Sequence, residues 1–301
     1  MNLNELKDLK DLACKAALKA GKVIQSVGGA TSIKKKSAGF TFASQVVTDV
    51  DLQAQRALFE VIEPTLEKWD LALLSEEKED DGSRFEKEYF WAIDPLDGTL
   101  AFIEESDGFA VSIALISRDG VPQIGVVYDP VNDELYEAIK HNGAFCNGNP
   151  LHIPPAAESR QCHFIVDRTT ESLLQKGQLR ELLVQQINEI GLSLTEVFTH
   201  YGAVMNVCNC LEHPMAFFLK VPKEEEGGGC IWDYGATACI YKEAGGVVTD
   251  CRGQELALNS PHSVYMNEGG VLFASTKELS LSCVELMRSK LTSVGDEEVG
   301  L

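Results

Sequence analysis

In Tyr89-Phe90-Trp91-Ala92-Ile93-Asp94-Pro95-Leu96-Asp97-Gly98-Thr99, an apolar run stops abruptly at two carboxylates, a proline, a glycine and a threonine. The apolar residues predict a buried strand. Pro95 fixes its own φ and biases Asp94 toward extended geometry, so the strand is predicted to end there and turn. The turn brings the carboxylates of Asp94 and Asp97 to the same side, at the end of the strand. An ordinary Asp-Pro turn is the alternative interpretation, since aspartate, proline and glycine are the commonest turn residues.

Two like charges held this close require a cation. The stretch contains no histidine or cysteine, and oxygen-only ligands favour a hard ion such as Mg²⁺, which takes a few carboxylates and leaves its other positions to water and substrate phosphate. Gly98 and Thr99 offer backbone N–H groups at the predicted N-terminus of a short helix over 100–103, an arrangement that suits an anion. The stretch therefore predicts a metal and a phosphate at one place.

The composition bounds the size and the partners of the protein. With 301 residues, 45% of them hydrophobic, the chain can bury a full core in one large domain or in two closely packed halves. Its formal net charge of −20 and its pI near 4.7 argue against nucleic acid and anionic membranes as partners. A small phosphate ester is compatible with this charge if divalent cations, held by clustered carboxylates, reverse the local field.

The sequence also predicts a cytoplasmic protein with reduced thiols. No run approaches the length of a membrane span, and the N-terminal segment is charged and amphipathic without an apolar signal core. The nine cysteines are scattered singly, which favours free thiols in an intracellular chain. Cys208, Cys210 and His213 have a spacing found in zinc sites, but they lack a second ligand pair, so we interpret the cysteines as small buried residues.

Two helices are predicted near the N-terminus. Apolar residues at helical spacing predict a helix over 4–27. The segment Val46–Asp51 leads into a second helical pattern that continues to Leu66, and Thr48 or Asp49 is a natural N-cap for that helix. Capping explains one acid at this helix start, and Asp51 is then left for another role.

Short strands follow, and the first of them ends in acids. Residues 71–74 predict a strand that stops at Ser75-Glu76-Glu77, where a plain acidic surface run is the alternative. A meander of antiparallel strands is predicted beyond the opening stretch, over 109–116, 121–127 and 134–139. The first half therefore has α+β character.

Pro150, followed by Pro154-Pro155, marks the predicted boundary between two halves, residues 1–150 and 151–301. Beyond it the pattern alternates as in α/β proteins. Strands are predicted over 162–166, 192–198 and 215–221, and helices over 171–190, 203–211 and 234–244. Asp233 stands at the start of the last helix, where a local interpretation makes it the N-cap.

Four groups of acids each sit where a predicted element ends: Asp49/Asp51, Glu76/Glu77, Asp94/Asp97 and Asp233. They make sense as one site. The stretch 94–99, the earlier Ser75-Glu76-Glu77, and Trp232-Asp233 ahead of a glycine-ended helix resemble the three signatures of the inositol monophosphatase superfamily, in the same order over residues 6–275. The resemblance implies a magnesium-dependent, lithium-sensitive phosphomonoesterase with a layered αβαβα sandwich fold and its site between the halves.

Carried over position by position, the resemblance implies a role for each acid. Glu76, Asp94 and the Leu96 carbonyl would hold one Mg²⁺, Asp94, Asp97 and Asp233 a second, with two or three ions per site. Asp51 paired with Thr99 would deprotonate the attacking water, and Gly98 and Thr99 would bind phosphate. The substrate positions that it implies are Lys36, Tyr201, Gly202, Ala203 and Glu226. The oligomeric state is left open by the resemblance, and a homodimer is the candidate.

The substrate is the open question, and the candidates in order are a nucleoside bisphosphate, an inositol phosphate and, a distant third, a sugar bisphosphate. Residues 102–116 resemble the bisphosphate nucleotidase branch, which removes the 3′-phosphate of adenosine 3′,5′-bisphosphate, somewhat more than the inositol monophosphatase branch. The chain departs from the family's usual residues after Trp232-Asp233, and the loop before them is longer, with three glutamates and three glycines over 224–229. The basic cluster Lys34, Lys35 and Lys36 is either a solvated loop or a contact for substrate phosphate. A non-catalytic metal-binding homologue is the alternative of a different class.

Overall fold

The computed structural model describes residues 1–27, 33–35, 46–155, 160–176 and 178–293. Its helices are α1 (Leu3–Val27), α2 (Asp49–Lys68), α3 (Thr99–Ile103), α4 (Arg168–Lys176), α5 (Leu179–Glu189), α6 (Ala203–Cys210), α7 (Ile231–Glu243) and α8 (Lys277–Ser293). No helix among these residues combines the length and apolarity needed to cross a membrane.

The strands form two main sheets and one small ribbon. In chain order they are β1 (Ile33–Lys35), β2 (Val46–Thr48), β3 (Ala72–Ser75), β4 (Tyr89–Asp97), β5 (Ala110–Ser117), β6 (Pro122–Asp129), β7 (Glu134–Ile139), β8 (Ala144–Cys146), β9 (Asn149–Leu151), β10 (Gln161–Val166), β11 (Ser193–Phe198), β12 (Ala216–Lys220), β13 (Val247–Thr249) and β14 (Val271–Ala274). The ribbon pairs β1 with β2.

The first main sheet has the order β3-β4-β5-β6-β7-β8-β9. Strand β3 runs parallel to β4, and the other neighbours are antiparallel. Because successive side chains of a strand point to opposite faces, the sheet presents two apolar faces. One face packs on α1 and α2, with Leu9, Leu58 and Trp91 fully buried between them.

The second main sheet has the order β11-β10-β12-β14-β13, with β10 parallel to both of its neighbours. Its outer face packs on α4, α5 and α8 through buried Phe164, Phe217 and Leu183. Its inner face and the free face of the first sheet enclose α6 and α7 in a shared core that includes Tyr234 and Phe273. The five layers form the αβαβα sandwich that the resemblance implied.

Several elements differ from the prediction. The single helix predicted over 171–190 is two helices, α4 and α5, and the sequence has at position 177 a glycine, which disfavours a continuous helix. The short strands β8 and β9 were not predicted, nor were β13, β14 and α8. Pro150, at the predicted boundary, lies inside the edge strand β9 opposite Phe145, a position that proline tolerates because an edge strand leaves some of its N–H groups unpaired.

Candidate active site

A β-bulge at the end of β4 brings Asp94 and Asp97 to one face. Residues three apart on a regular strand point to opposite faces. Here Asp94 pairs with Ser112 and Asp97 with Ala110, so three steps along β4 match two along β5. The extra residue turns Asp97 to the same side as Asp94. Pro95 lies within the bulge, where its missing N–H is tolerated, and Leu96 N donates to Asp94 Oδ1 at 2.9 Å.

Glu76 reaches the same edge because β3 is parallel to β4. Ser75 pairs with Ile93, and Glu76 N donates to the Ile93 carbonyl at 3.1 Å. The carboxyl ends of neighbouring parallel strands meet at one edge of a sheet, so Glu76 follows β3 where Asp94 stands on β4. Glu76 lines the central cavity, whereas Glu77 is absent from its described lining. The structure therefore places Glu76, and not Glu77, at the cavity, and Glu76 is the glutamate that the resemblance implies as a metal ligand.

Asp233 comes from the other half of the chain, in the first turn of α7. The N-cap of α7 is Cys230, so the local interpretation of Asp233 as the N-cap is wrong. Asp233 occupies the third helical position and forms a capping box, in which its Oδ2 accepts the Cys230 N–H at 2.7 Å. The helix start is anchored to β5 by Ser112 Oγ, which donates to the Trp232 carbonyl at 2.8 Å.

Asp94, Asp97 and Asp233 form a compact carboxylate cluster. Each offers an oxygen within 4.8 Å of the oxygens of the other two. Among the described residues, no lysine, arginine or histidine makes an ion pair with any of the three. Oxygen-only donors without an ion-pair partner fit a hard divalent ion, and the chemistry of this donor set therefore agrees with a metal site.

The pKa values of the cluster are raised by its surroundings. Burial raises the pKa of Asp94 well above its ordinary value, and the charges of Glu76, Asp233 and Asp97 add to this. Burial raises the pKa of Asp97 to about 7, although N–H groups from Val204 and Ala203 and the charge of Lys220 oppose the shift. The pKa of Asp233 is raised by burial and then by Asp97 and Glu76. A bound cation would relieve the repulsion that these shifts report.

The cluster lies in a cavity of about 420 Å³ between the two halves. Of the residues implied by the resemblance, those that line it are Glu76, Asp94, Leu96, Asp97, Gly98, Thr99, Tyr201, Gly202, Ala203, Glu226 and Asp233. Asp51 is buried in the first turn of α2 and is not part of this described lining. Lys36 lies outside the described residues, as do the side chains of Lys34 and Lys35, whose backbone belongs to β1.

Thr99 and Gly98 join the bulge to the short helix α3. Thr99 Oγ donates to the Leu96 carbonyl at 3.2 Å, so the carbonyl implied as a metal ligand already accepts one hydrogen bond and keeps a second lone pair. Gly98 has φ of 82°, a left-handed conformation that favours glycine. The chain can therefore turn from the bulge into α3 without strain.

A second wall of the cavity, formed by residues that follow β10 and end β12, carries charges that the sequence analysis missed. Lys220, at the end of β12, forms a buried ion pair with Asp167, which follows β10. At the mouth, Arg168 Nη1 donates to Glu104 Oε1 at 3.0 Å, and a second guanidinium N–H binds the other oxygen. The signal that identified Glu76, an acid directly after a predicted strand, also applies to Asp167.

Other predicted features have a structural role. Cys208 and Cys210 are buried free thiols in α6, as interpreted from the sequence. The His213 ring stacks on His163 with 4.2 Å between centroids. The only metal-binding group found among the described residues is the carboxylate cluster. The loop 226–229 lines the cavity and is held by the Tyr234 hydroxyl, which donates to the Gly228 carbonyl at 3.0 Å.

Comparison with known proteins gives one consistent result. The inositol monophosphatase family matches this chain over residues 5–289. A Thermotoga maritima protein named fructose-1,6-bisphosphatase/inositol-1-monophosphatase is 28% identical over 261 residues, which are 86% of this chain and 91% of that protein. Inositol monophosphatase 3 of Solanum lycopersicum is 29% identical over 265 residues, with 83% and 88% of the two chains covered.

The fold agrees with solved structures as well. A Thermotoga maritima IMPase superimposes with a TM-score of 0.72 and 22% identity over 96% of this chain and 100% of that one. At this identity the structural match supports the fold alone. The sequence match covers nearly the whole chain and contains all three signature regions that build the cavity. The chain therefore belongs to the inositol monophosphatase family of metal-dependent phosphatases.

Proposed function

We propose that the protein hydrolyses the phosphate monoester of a small metabolite with Mg²⁺ held by the carboxylate cluster. The observation that carries this proposal is the cluster itself: three buried aspartates with mutually close oxygens, none of which forms an ion pair with a described lysine, arginine or histidine, since Lys220 of the same cavity is paired with Asp167. Family membership supports the same reaction class, since the family acts on small phosphate esters. The hard oxygen donors favour Mg²⁺ over a softer metal.

The ligand assignment follows the resemblance. Glu76, Asp94 and the Leu96 carbonyl are proposed for one ion, and Asp94, Asp97 and Asp233 for a second. Magnesium held by these residues would lower the pKa of a coordinated water and stabilise the leaving oxygen. The same small-ion site is proposed to accept Li⁺, so lithium should inhibit phosphate release and rising Mg²⁺ should relieve the inhibition.

The chain's own residues supply the proton acceptor. Asp51 is buried and lies outside the described lining of the cavity, whereas Thr99 lines it. We therefore assign the contact with the attacking water to the Thr99 hydroxyl, which passes the proton to Asp51. In the structure the single Thr99 Oγ proton is donated to the Leu96 carbonyl, so the hydroxyl must turn from that carbonyl to Asp51 before it can pass its own proton on and take up the proton of the water.

An inositol monophosphate is the first candidate substrate. The relatives above carry the names inositol monophosphatase and fructose-1,6-bisphosphatase/inositol-1-monophosphatase. The preference for adenosine 3′,5′-bisphosphate, drawn from residues 102–116, has no counterpart in these names. We therefore rank the inositol ester first.

A nucleoside bisphosphate is the second candidate, and the second wall of the cavity supports it. Arg168, His200 and Lys220 all line the cavity there. Lys220 is committed to Asp167, but Arg168 is bound to Glu104 at the mouth, where both side chains are more than a third exposed. An exposed guanidinium can exchange a carboxylate for the second phosphate of a substrate, because both anions suit its planar fork.

Phosphate release from a metabolite panel tests the proposal. The wild type should release phosphate with Mg²⁺ and stop when EDTA removes the metal. Release from no ester under any Mg²⁺ concentration would favour the non-catalytic homologue. The ratio of kcat/KM for inositol 1-phosphate to that for adenosine 3′,5′-bisphosphate ranks the two substrates.

The variant Arg168→Gln tests the second candidate. If Arg168 binds a second phosphate, kcat/KM for the bisphosphate should fall by about tenfold, the loss expected for a charge-assisted hydrogen bond, while the inositol ester is unaffected. Arg180→Gln is the matched control, because Arg180 is also an exposed arginine bound to a glutamate, Glu196, and does not line the cavity. An equal response of both esters to Arg168→Gln would remove the nucleotide candidate.

A further inference from the structure

Asp97 binds the N-terminus of a helix that lies more than a hundred residues away in the chain. Ala203 N donates to Asp97 Oδ1 at 3.2 Å, and Val204 N donates to Asp97 Oδ2 at 2.8 Å. These are the first two amides of α6, whose own N-cap, Gly202, has no side chain to bind them. Asp97 therefore satisfies orphan N–H groups that a capping side chain normally binds.

Space at position 202 is what allows this approach. Gly202 has φ of −62° and ψ of 169°, a conformation open to any residue, so its backbone does not require glycine. A Cβ there would overlap Asp97 Oδ2 and stand 2.7 Å from Gly98 N. Gly202 N also donates to the Gly108 carbonyl at 2.7 Å, which joins the two halves directly beside the cluster.

Hydrogen bonds from Asn206 hold the turn that contains Gly202. Asn206 is fully buried, and its Nδ2 donates to the Tyr201 carbonyl at 3.1 Å. Its Oδ1 accepts the hydroxyl of Thr199, and its backbone N donates to the Gly202 carbonyl at 3.1 Å. These bonds fix the start of α6 relative to the strand before it, so the two amides face Asp97 in a set direction.

We infer that Gly202 and the start of α6 position the Asp97 carboxylate for cation binding. This inference rests on the proposed function, because it treats Asp97 as a metal ligand. A carboxylate has about four lone-pair directions, and two amides occupy one on each oxygen, which leaves the others toward Asp94 and Asp233. Mg²⁺ demands near-ideal ligand geometry, so a carboxylate fixed in advance binds it better than a free one.

The inference gives Gly202 and Ala203 a role that differs from the substrate contact implied by the resemblance. Their backbone N–H groups are already engaged, by the Gly108 carbonyl and by Asp97. They are positioning residues here, acting through Asp97 and not on the substrate. Metal binding without substrate therefore separates the two roles.

The melting temperature of the metal-free protein tests the two hydrogen bonds between Asp97 and the start of α6, independently of metal binding. Asp94→Asn removes one charge from a repelling cluster and should raise the melting temperature. Asp97→Asn removes a charge too, but the new amide N–H₂ would face an N–H of α6, so its melting temperature should fall below that of the wild type. An equal rise in both variants would overturn the inference, because Asp97 would then act only as one of the repelling charges.

Calorimetric titration with Mg²⁺, without substrate, tests the positioning. Gly202→Ala should weaken binding by about tenfold or more, as is typical when a partner of a metal ligand is lost. Gly269→Ala is the matched control, since it also has no left-handed φ and its Cβ would meet only Asp250, at 3.2 Å. Unchanged Mg²⁺ affinity in Gly202→Ala would overturn the inference.

A second variant covers the case in which Gly202→Ala does not fold. Ala203→Pro deletes the N–H that binds Asp97 Oδ1, and proline is well tolerated at the first position of a helix. It should keep α6 and still weaken Mg²⁺ binding, and full retention of affinity would overturn the positioning role. A wild type that binds no Mg²⁺ would overturn the proposed function instead. The melting temperatures would still test the hydrogen bonds between Asp97 and α6, because they are measured without metal.

Discussion

Asp94 and Asp167 are both buried aspartates that line the same cavity, yet their surroundings shift their pKa values in opposite directions. Burial raises the pKa of Asp94, and the neighbouring carboxylates raise it further. Burial also acts to raise the pKa of Asp167, but the charge and hydrogen bond of Lys220 outweigh it and hold the pKa below its ordinary value. One wall is a set of acids that repel each other, and the other is neutralised by its own lysine.

The difference supports the acidic cluster as the part of the cavity where the proposed cation binds. A buried charge is stable when a partner faces it and costly when none does. Asp167 has its partner within the chain, so it needs no ion. The cluster of Asp94, Asp97 and Asp233 has no such ion-pair partner among the described residues, and the proposed metal would supply the positive charge that its charged form lacks.

Asp94→Asn should have the largest effect on activity. Asp94 is proposed to contact both ions, so its loss should lower kcat by at least about 10³-fold and abolish tight Mg²⁺ binding. The matched control is Glu77→Gln, since Glu77 follows Glu76 directly but is absent from the described lining of the cavity. Phosphate release and calorimetry should show a small change in the control. Comparable losses in both variants would mean that the wrong glutamate is assigned to the metal.

Asp51→Asn should have the next largest effect, and it should act on rate alone. A lost proton acceptor lowers kcat by about 10² to 10⁴-fold, whereas Mg²⁺ affinity should stay near that of the wild type. Asp49 is the first residue of α2 and not its N-cap, so Asp49→Asn should lower the unfolding free energy only through the lost charge at the helix N-terminus, by about 0.3–1 kcal/mol, and leave kcat nearly unchanged. Calorimetry that showed a lost metal site in Asp51→Asn would make Asp51 a ligand and not a base.

The acidic wall could be predicted from sequence because its signals are local. Asp94, Asp97 and Glu76 each stand at the end of an apolar strand, and parallel strands bring their carboxyl ends together. The periodic helices α1 and α2 and the meander β5 to β7 were predicted for the same reason. Each of these inferences needs only a short window of sequence and the geometry of one element.

The neutralised wall could not be predicted, because its partners meet only through the topology. Lys220 and Asp167 are brought together because β10 pairs with β12, and no local pattern specifies that pairing. The contact of Asp97 with α6 likewise joins residues 106 positions apart. For Asp233, local rules alone favoured the N-cap and only the resemblance made it a metal ligand, whereas in the structure Cys230 takes the N-cap position.

Removing the carboxylate charge of Asp167 should change the unfolding free energy in the direction opposite to that of removing a charge from the carboxylate cluster. Asp167→Asn leaves Lys220 buried without its counter-charge and should lower the unfolding free energy by about 3 kcal/mol. The same change at Asp94 should stabilise the metal-free protein. The double variant Asp167→Asn with Lys220→Met should recover most of the loss, because no buried charge is then unpaired. Denaturant unfolding of the four metal-free proteins measures this, and no recovery in the double variant would contradict the account.

The smallest expected effect is a pH dependence that distinguishes the two walls. The pKa values of Asp94, Asp97 and Asp233 are raised in the folded state, that of Asp97 to about 7. Between about pH 4, the ordinary value for an aspartate, and pH 7, the folded metal-free protein therefore holds protons that the unfolded chain has released. Its stability should fall as pH rises through that window, because charging the cluster opposes folding. Asp167 contributes no slope there, since its lowered pKa places its own loss of stability below pH 4.

Saturating Mg²⁺ should remove this dependence of stability on pH, because the bound ion replaces the protons on the cluster carboxylates. The gain in unfolding free energy on adding saturating Mg²⁺ should thus be larger at pH 7.5 than at pH 5, and taking the difference at each pH cancels groups remote from the site. In Asp94→Asn the metal-free slope should be shallower than in the wild type, since one titrating carboxylate is gone, whereas Asp167→Asn should keep the wild-type slope over the same window. An equal gain from Mg²⁺ at both pH values would mean that the cluster is already neutralised within the chain, and the contrast between the two walls would then no longer hold.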